Sequence, residues 1–132
     1  MRILKVCVTA AYLSVVIVSN AQAKVPVKYG VDENVDACST LGHVEHLSSG
    51  PDGFLAVKDA PNIKALRIDK IFNGQKLWIC DESKDGKWLG VVYTSDAKLN
   101  CGVSSPIETR KKYPGPCKSG WVSKKYVTVD AG

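Results

Sequence analysis

The chain of 132 residues has the size of one ordinary domain, with 45% hydrophobic residues, 23% charged residues and a formal net charge of +5. This composition is typical of a folded globular protein, and it excludes disordered, collagen-like and multi-pass membrane chains. The mild positive charge permits contact with anionic surfaces but does not require it.

The first 23 residues have the pattern of an export signal. Arg2 and Lys5 precede a charge-free apolar run over residues 6–18, and Ala21-Gln22-Ala23 supplies the small residues that signal peptidase requires. The apolar run is shorter than the roughly 20 residues of a membrane-spanning helix, so an uncleaved anchor is the less favoured alternative. We expect cleavage before Lys24. Without the two basic residues of the signal, the formal net charge falls from +5 to +3. We expect a periplasmic or secreted protein with no membrane span and no nucleic-acid partner.

Residues 24–50 are polar and lack a sustained period, which predicts an N-terminal lead-in segment attached to the domain through Cys38. Cys38, His43 and His46 make a short cysteine and histidine cluster. The chain has neither the C-x-x-C pair of structural zinc sites nor the H-E-x-x-H pattern of metalloproteases. We therefore expect no metal and no cofactor, with both histidines exposed on a strand or linker.

The remaining chain has the short alternating segments and turn dipeptides of an all-β protein. Asn73-Gly74 and Asp85-Gly86 are turn signals between such segments, and no window shows a convincing helical period. The pattern predicts a small barrel or sandwich, residues 51–132, with about five to six short strands. The predicted strands are residues 54–58, 66–72, 76–81, 87–93, 120–122 and 126–129.

Residues 94–119 predict a long loop that is closed by a disulfide at its base. Removal of Cys7 with the signal leaves four cysteines, an even number that indicates two disulfides in an exported chain. Three pairings are possible. Cys101 and Cys117 are close in sequence and flank a turn-rich stretch, which favours their pairing and leaves Cys38 with Cys80. The basic run Arg110-Lys111-Lys112 in this loop is either a solvated face or an anion-binding patch.

Four segments in order resemble the bacterial SH3-like domain (Src homology 3 type). The match covers about residues 53–129, and residues 94–119 are an insertion relative to the family pattern. The segments are FLAVKDAP (54–61), IFNGQKL (71–77), GKWLGVV (86–92) and GWVSKKYV (120–127). The resemblance implies an SH3-like barrel at residues 51–132. It also implies a role in the bacterial cell envelope, the recognition of peptidoglycan or its peptides.

The residues favour a non-catalytic binding module over an enzyme. The cysteines are expected to be bridged, no G-x-S-x-G elbow is present, and carboxylates at Asp81, Glu82 and Asp85 are typical of a solvated turn. Aromatic side chains on a rigid barrel offer stacking area for sugars or peptides, although the tryptophans could equally belong to the core. The ligand-binding candidates are Trp88, Tyr93, Tyr113, Trp121 and Tyr126, and Tyr113 in the stapled loop is the preferred contact residue.

The alternative hypothesis is a periplasmic inhibitor or immunity-type protein, which would bind a protein partner through the disulfide-closed 94–119 loop. A preorganised loop lowers the ordering cost of binding. In either case we expect a monomer.

Overall fold

The computed structural model describes residue 3, residues 5–17 and residues 23–132. Residues 5–17 have no regular secondary structure, and no described helix is long and apolar enough to cross a membrane. Of the predicted cleavage motif, Ala21 and Gln22 lie outside the described residues. The described residues form nine strands and one 3₁₀ turn at Lys124–Tyr126. The strands are β1 (Lys28–Tyr29), β2 (Thr40–Val44), β3 (Leu55–Lys58), β4 (Arg67–Ile71), β5 (Lys76–Glu82), β6 (Trp88–Tyr93), β7 (Lys111–Lys112), β8 (Lys118–Ser123) and β9 (Val127–Ala131).

The all-β prediction is confirmed, and each predicted strand corresponds to an observed one. The turn dipeptides connect the strands as expected. Gly74 (φ 88°) lies between β4 and β5, and Gly86 (φ 72°) lies between β5 and β6. Only glycine adopts such positive φ angles without steric cost, which is why these two dipeptides are reliable turn signals.

Seven strands form one antiparallel sheet in the order β4-β3-β8-β6-β5-β2-β9, and β1 and β7 form a separate two-stranded ribbon. In the described chain, β4 and β9 are the two edges of the large sheet and do not pair with each other. The sheet therefore has more strands than the five to six predicted, and its hydrogen bonding does not close it into a barrel.

The additional strand in the large sheet comes from the predicted lead-in segment. β2 pairs with β5 on one side and with β9 on the other, so residues 40–44 are an interior strand of the sheet. The boundary predicted at residue 50 thus does not separate a peripheral segment from the domain. Gly42 makes this strand hard to predict from the sequence, because glycine is uncommon in strand interiors. Packing favours glycine at this position, because a Cβ atom on residue 42 would lie 2.7 Å from the Thr128 carbonyl oxygen on β9.

The sheet buries apolar side chains on both faces. Along β6, Val91 faces one cluster and Val92 the other, as the period of two in a strand requires. The inner cluster comprises Val44, Leu55, Val57, Ile71, Leu77, Leu89, Val91, Tyr93 and Val122. The outer cluster comprises Val27, Tyr29, Ala37, Cys38, Cys80, Val92, Cys101, Val103, Tyr113, Cys117 and Trp121. Residues 24–38 and the 94–119 loop thus cover the outer face of the sheet.

Both predicted disulfides are confirmed. Cys38 bonds to Cys80 across 42 positions and Cys101 bonds to Cys117 across 16. All four cysteines belong to the outer cluster, so the bridges fasten the covering segments where they pack. Two disulfides fit an oxidising, exported environment.

Candidate functional site

The structure divides the five aromatic candidates into two groups. Tyr93, Tyr113 and Trp121 are buried at 4%, 5% and 3% exposure. Trp88 and Tyr126 are partly exposed, and both line a single surface groove. Of the five candidates, only the second pair combines partial exposure with a shared groove.

The expectation that Tyr113 lies outside the core is wrong. Its ring packs edge-to-face on Tyr29, with 5.3 Å between ring centroids. Its hydroxyl donates to the Cys101 carbonyl (2.6 Å) and accepts from the Cys117 amide (3.2 Å). Burial raises the pKa of the Tyr113 hydroxyl. The proline-rich loop folds back on the sheet, and Tyr113 anchors it there.

Tyr93 and Trp121 also have structural partners. The Tyr93 hydroxyl donates to Asp69 (2.7 Å). Burial raises the pKa of Tyr93 well above its usual range, and the hydrogen bond to Asp69 is the second cause. Partial burial opposes ionisation of Asp69. Hydrogen bonds from Tyr93, from the Lys70 amide and from Lys118 nevertheless hold the Asp69 pKa below its ordinary value. The Trp121 indole N–H donates to the Val25 carbonyl (2.7 Å), which fastens the N-terminal segment to β8.

The groove that contains Trp88 and Tyr126 has a volume of about 430 Å³. Phe54, which immediately precedes β3, is the third aromatic residue in its lining. Trp88 opens β6, and Tyr126 ends the 3₁₀ turn before β9, so three separate elements bring these rings to one surface. Such a concave site with several aromatic rings is a common form of a ligand-binding groove. We call it the aromatic groove.

One lip of the aromatic groove is the loop between β3 and β4. Ile63 on this loop lines the groove and is 80% exposed. The Lys58 ammonium donates to the carbonyls of Ile63 (3.2 Å) and Ala65 (3.1 Å), which ties the loop to β3. An apolar lip held in this way is preformed, so a ligand that covers Ile63 does not have to order it.

The segment that follows β2 is another part of the lining. His46 lines the groove with φ of 68°, the one positive value among the described non-glycine residues. Gly53 in the same lining lies against this segment, because a Cβ atom on it would overlap the Ser48 carbonyl. The close approach of the backbone requires glycine at position 53.

Positively charged side chains lie over two of the three aromatic rings. The Arg67 guanidinium carbon lies 5.2 Å and the Lys70 ammonium 4.5 Å from the ring centroid of Phe54. The Lys125 ammonium lies 5.5 Å from the ring centroid of Tyr126. These three cations contact rings of the aromatic groove but are not part of its lining.

The basic run Arg110-Lys111-Lys112 does not act as one patch. Arg110 donates to Asp81 (2.7 Å) and to the Gly30 carbonyl (2.9 Å), so it clamps the N-terminal segment to β5. Lys111 and Lys112 form β7 and are exposed. None of the three residues lines the aromatic groove.

Both histidines lie close to the carboxylate of Glu45, which directly follows β2, and His43 also contacts Asp130 on β9. His43 Nδ1 lies 2.8 Å from Asp130 on β9, and its Nε2 lies 3.6 Å from Glu45. The hydrogen bond with Asp130 raises the pKa of His43. A hydrogen bond from Thr128 lowers the pKa of Glu45. Within residues 3, 5–17 and 23–132 no group of three or more histidine, cysteine or acidic residues is arranged to hold a metal ion.

The carboxylates near the β5–β6 turn are also separately engaged. Asp81 pairs with Arg110, and Glu82 pairs with Lys124 at 2.9 Å. Asp85 accepts from Ser83 (2.6 Å), and this bond lowers the pKa of Asp85.

Comparison of the chain with protein-family models, with curated proteins and with solved structures finds no match.

Sequence reasoning did not select Phe54, Ile63, Arg67, Lys70 or Lys125 as site residues. Phe54 could have been selected from the sequence, because it lies in a segment that resembles the SH3-like family and immediately precedes a strand. No sequence pattern indicates Arg67, Lys70 or Lys125, because the position of each cation over a ring depends on strand register.

Proposed function

We propose that this protein is a non-catalytic, exported SH3-like binding module of the bacterial cell envelope. It recognises peptidoglycan or a peptide through the aromatic groove. The observation that carries the proposal is the arrangement of Phe54, Trp88 and Tyr126 around one cleft of about 430 Å³. Aromatic rings supply contact area at low entropic cost, and residues of this type dominate binding energy at interfaces. The four SH3-like segments and the two disulfides support the class and the exported location.

The alternative function, the binding of a protein partner through the 94–119 loop, has less support. Val103 and Tyr113, two apolar residues of the loop, are buried in the outer cluster. The side chains on the exposed part of the loop are mainly polar or charged. An interface needs a central apolar anchor, and the aromatic groove offers one more readily than this loop.

Co-sedimentation with purified peptidoglycan sacculi tests the proposal. The oxidised, exported protein should bind sacculi at low salt and retain binding at about 0.5 M salt, where the Debye length is only a few Å. Trp88→Ala and Tyr126→Ala should abolish retention. Phe72→Ala is the matched control, since Phe72 is 51% exposed but lies outside the aromatic groove.

Three results would contradict wall recognition through the aromatic groove. The first is the absence of sedimentation at both salt concentrations, which would move support to a protein partner. The second is binding that is lost at about 0.5 M salt, which would mean that only net charge was at work. The third is an equal loss in the Phe72→Ala control. Circular dichroism of each variant shows whether it has folded.

A further inference from the structure

His46 has a left-handed backbone with φ of 68°, a conformation that only a few per cent of non-glycine residues adopt. Residues in such sparsely populated regions persist only where the surrounding structure holds them, and they cluster at ligand-binding and catalytic sites. His46 belongs to the lining of the aromatic groove. Its backbone conformation therefore calls for a functional explanation.

Hydrogen bonds fasten the backbone on both sides of His46. The Glu45 amide donates to the Tyr126 carbonyl (2.9 Å). The Asn73 side chain accepts from the Leu47 amide (3.1 Å) through its oxygen and donates to the Leu47 carbonyl (3.1 Å) through its nitrogen. The two neighbours of His46 therefore hold its left-handed backbone in place.

The turn between β4 and β5 does not itself require asparagine at position 73. The Gln75 amide donates to the Phe72 carbonyl (3.0 Å), which closes a β-turn with Asn73 and Gly74 at its centre. The positive φ of this turn lies at Gly74 (88°), as in a type II turn, so the turn needs glycine at position 74 and accepts most residues at position 73. The asparagine amide is needed for the two hydrogen bonds with Leu47.

The imidazole of His46 is available to a ligand. Its Nε2 lies 3.6 Å from the Glu45 carboxylate, which is longer than a hydrogen bond, and 69% of the side chain is exposed. An imidazole nitrogen donates or accepts a hydrogen bond. His46 can therefore add a directional polar contact to the stacking area that the aromatic rings of the groove supply.

We propose that His46 is a ligand-contact residue of the aromatic groove and that Asn73 is its positioning residue. This inference rests on the proposed function and concerns the organisation of that same site. The Asn73 amide holds Leu47, Leu47 keeps His46 in its left-handed conformation, and the imidazole bonds to the ligand. The conformational cost is met during folding, so the ligand finds a preformed contact.

Two substitutions of His46 separate the contact from the backbone strain. His46→Gly and His46→Ala both remove the imidazole, so each should bind sacculi about fivefold more weakly than the unsubstituted protein, as the loss of one hydrogen bond predicts. Glycine adopts a positive φ without steric cost, whereas alanine does not. His46→Gly should therefore unfold at a higher urea concentration than His46→Ala, which reverses the order expected at a helix or strand position. Because His46 is exposed, neither change removes core packing.

Asn73→Ala tests the positioning role through a double-mutant comparison. In the otherwise native protein it should weaken sacculus binding about as much as His46→Ala does. In the His46→Ala background it should cause no further loss, because the contact that Asn73 positions is already absent. A merely structural asparagine would lower binding by the same factor in both backgrounds.

Asn100→Ala is the matched control. Asn100 also accepts a hydrogen bond from a backbone amide, that of Gly102 (2.9 Å), but it lies outside the lining of the aromatic groove. Its replacement should leave sacculus binding unchanged in both backgrounds.

Three results would overturn this inference and leave the proposed function standing. The first is native-like binding by both His46 variants while Trp88→Ala no longer binds. The second is a lower urea midpoint for His46→Gly than for His46→Ala. The third is an equal factor of loss from Asn73→Ala in the two backgrounds. A lack of sacculus binding by the unsubstituted protein would instead overturn the proposed function, and the inference with it.

Discussion

Tyr113 shows at the scale of a single residue why aromatic function is hard to predict from sequence. Its neighbours are prolines, glycines and lysines, which are typical of an exposed loop. Its burial depends on the outer face of the sheet, which the loop covers. Nothing in the local sequence reports that long-range contact, and the same holds for Trp121 and its bond to Val25.

Tyr113→Phe should lower the free energy of unfolding by about 1–3 kcal/mol, because it leaves the buried Cys101 carbonyl and Cys117 amide without a partner. Urea unfolding of the oxidised protein measures the change. Sacculus binding should be unaffected. A stable variant that has lost binding would restore Tyr113 as a contact residue.

His43 should make the attachment of β9 dependent on pH. Asp130 on β9 and Glu45, which directly follows β2, face the imidazole, and the pKa of His43 is raised, first of all by the hydrogen bond with Asp130. The stabilisation is fully present below the ordinary histidine pKa of 6.5 and is lost as pH rises through the higher folded value. The stability difference between the native protein and His43→Gln should therefore shrink from about pH 5 to pH 8. A difference that stays constant over this range would show that the ion pair does not contribute.

Strands were predictable where alternation and a turn dipeptide coincide. β4, β5 and β6 satisfy both conditions, since they border Asn73-Gly74 or Asp85-Gly86. β1 and β7 have two residues each, too few to show a period, and β2 contains a glycine at an alternating position. These three strands depend on tertiary contacts, which local patterns do not encode.

Replacement of residues 102–116 by a Gly/Ser linker should destabilise the domain by at least about 3 kcal/mol, since it removes Val103 and Tyr113 from the outer cluster. Urea unfolding gives the value. Ser104→Ala, at an exposed position of the same loop, is the control and should change stability by less than about 0.5 kcal/mol. An equally stable linker variant would mean that the loop does not support the core.

The aromatic groove exists only at the scale of the whole molecule. Phe54, Trp88 and Tyr126 are far apart in sequence, and the strand order β3-β8-β6 brings their elements together. Trp88 and Tyr126 were among the candidates because aromatic rings on a rigid barrel offer stacking area to a ligand. The groove itself could not be predicted, because it depends on which strands are neighbours and on the register between them. The disulfide pairing was predictable from the sequence. The short separation of Cys101 and Cys117 favoured one bridge, and Cys38 and Cys80 then remained for the other.

The two disulfides should contribute unequally to stability. In the chain-entropy model, the 42-residue separation of Cys38 and Cys80 is worth about 4 kcal/mol, and the 16-residue separation of Cys101 and Cys117 about 3 kcal/mol. Cys38→Ala/Cys80→Ala should therefore unfold at a lower urea concentration than Cys101→Ala/Cys117→Ala. The reverse order would show that packing around the bridges outweighs chain entropy.

The position of β2 between β5 and β9 has a consequence for the order in which an exported chain of this kind would fold. Leu41 pairs with Ala131, so the large sheet is complete only after its most distant partners in the sequence have met. In a chain that crosses a membrane amino terminus first, Cys38 and Cys80 emerge before either of the other bridged cysteines. At that stage Cys38 and Cys80 are the available pair of these four cysteines, so oxidation favours their native bridge. Until β9 arrives, β2 is an open edge that can recruit strands from other chains.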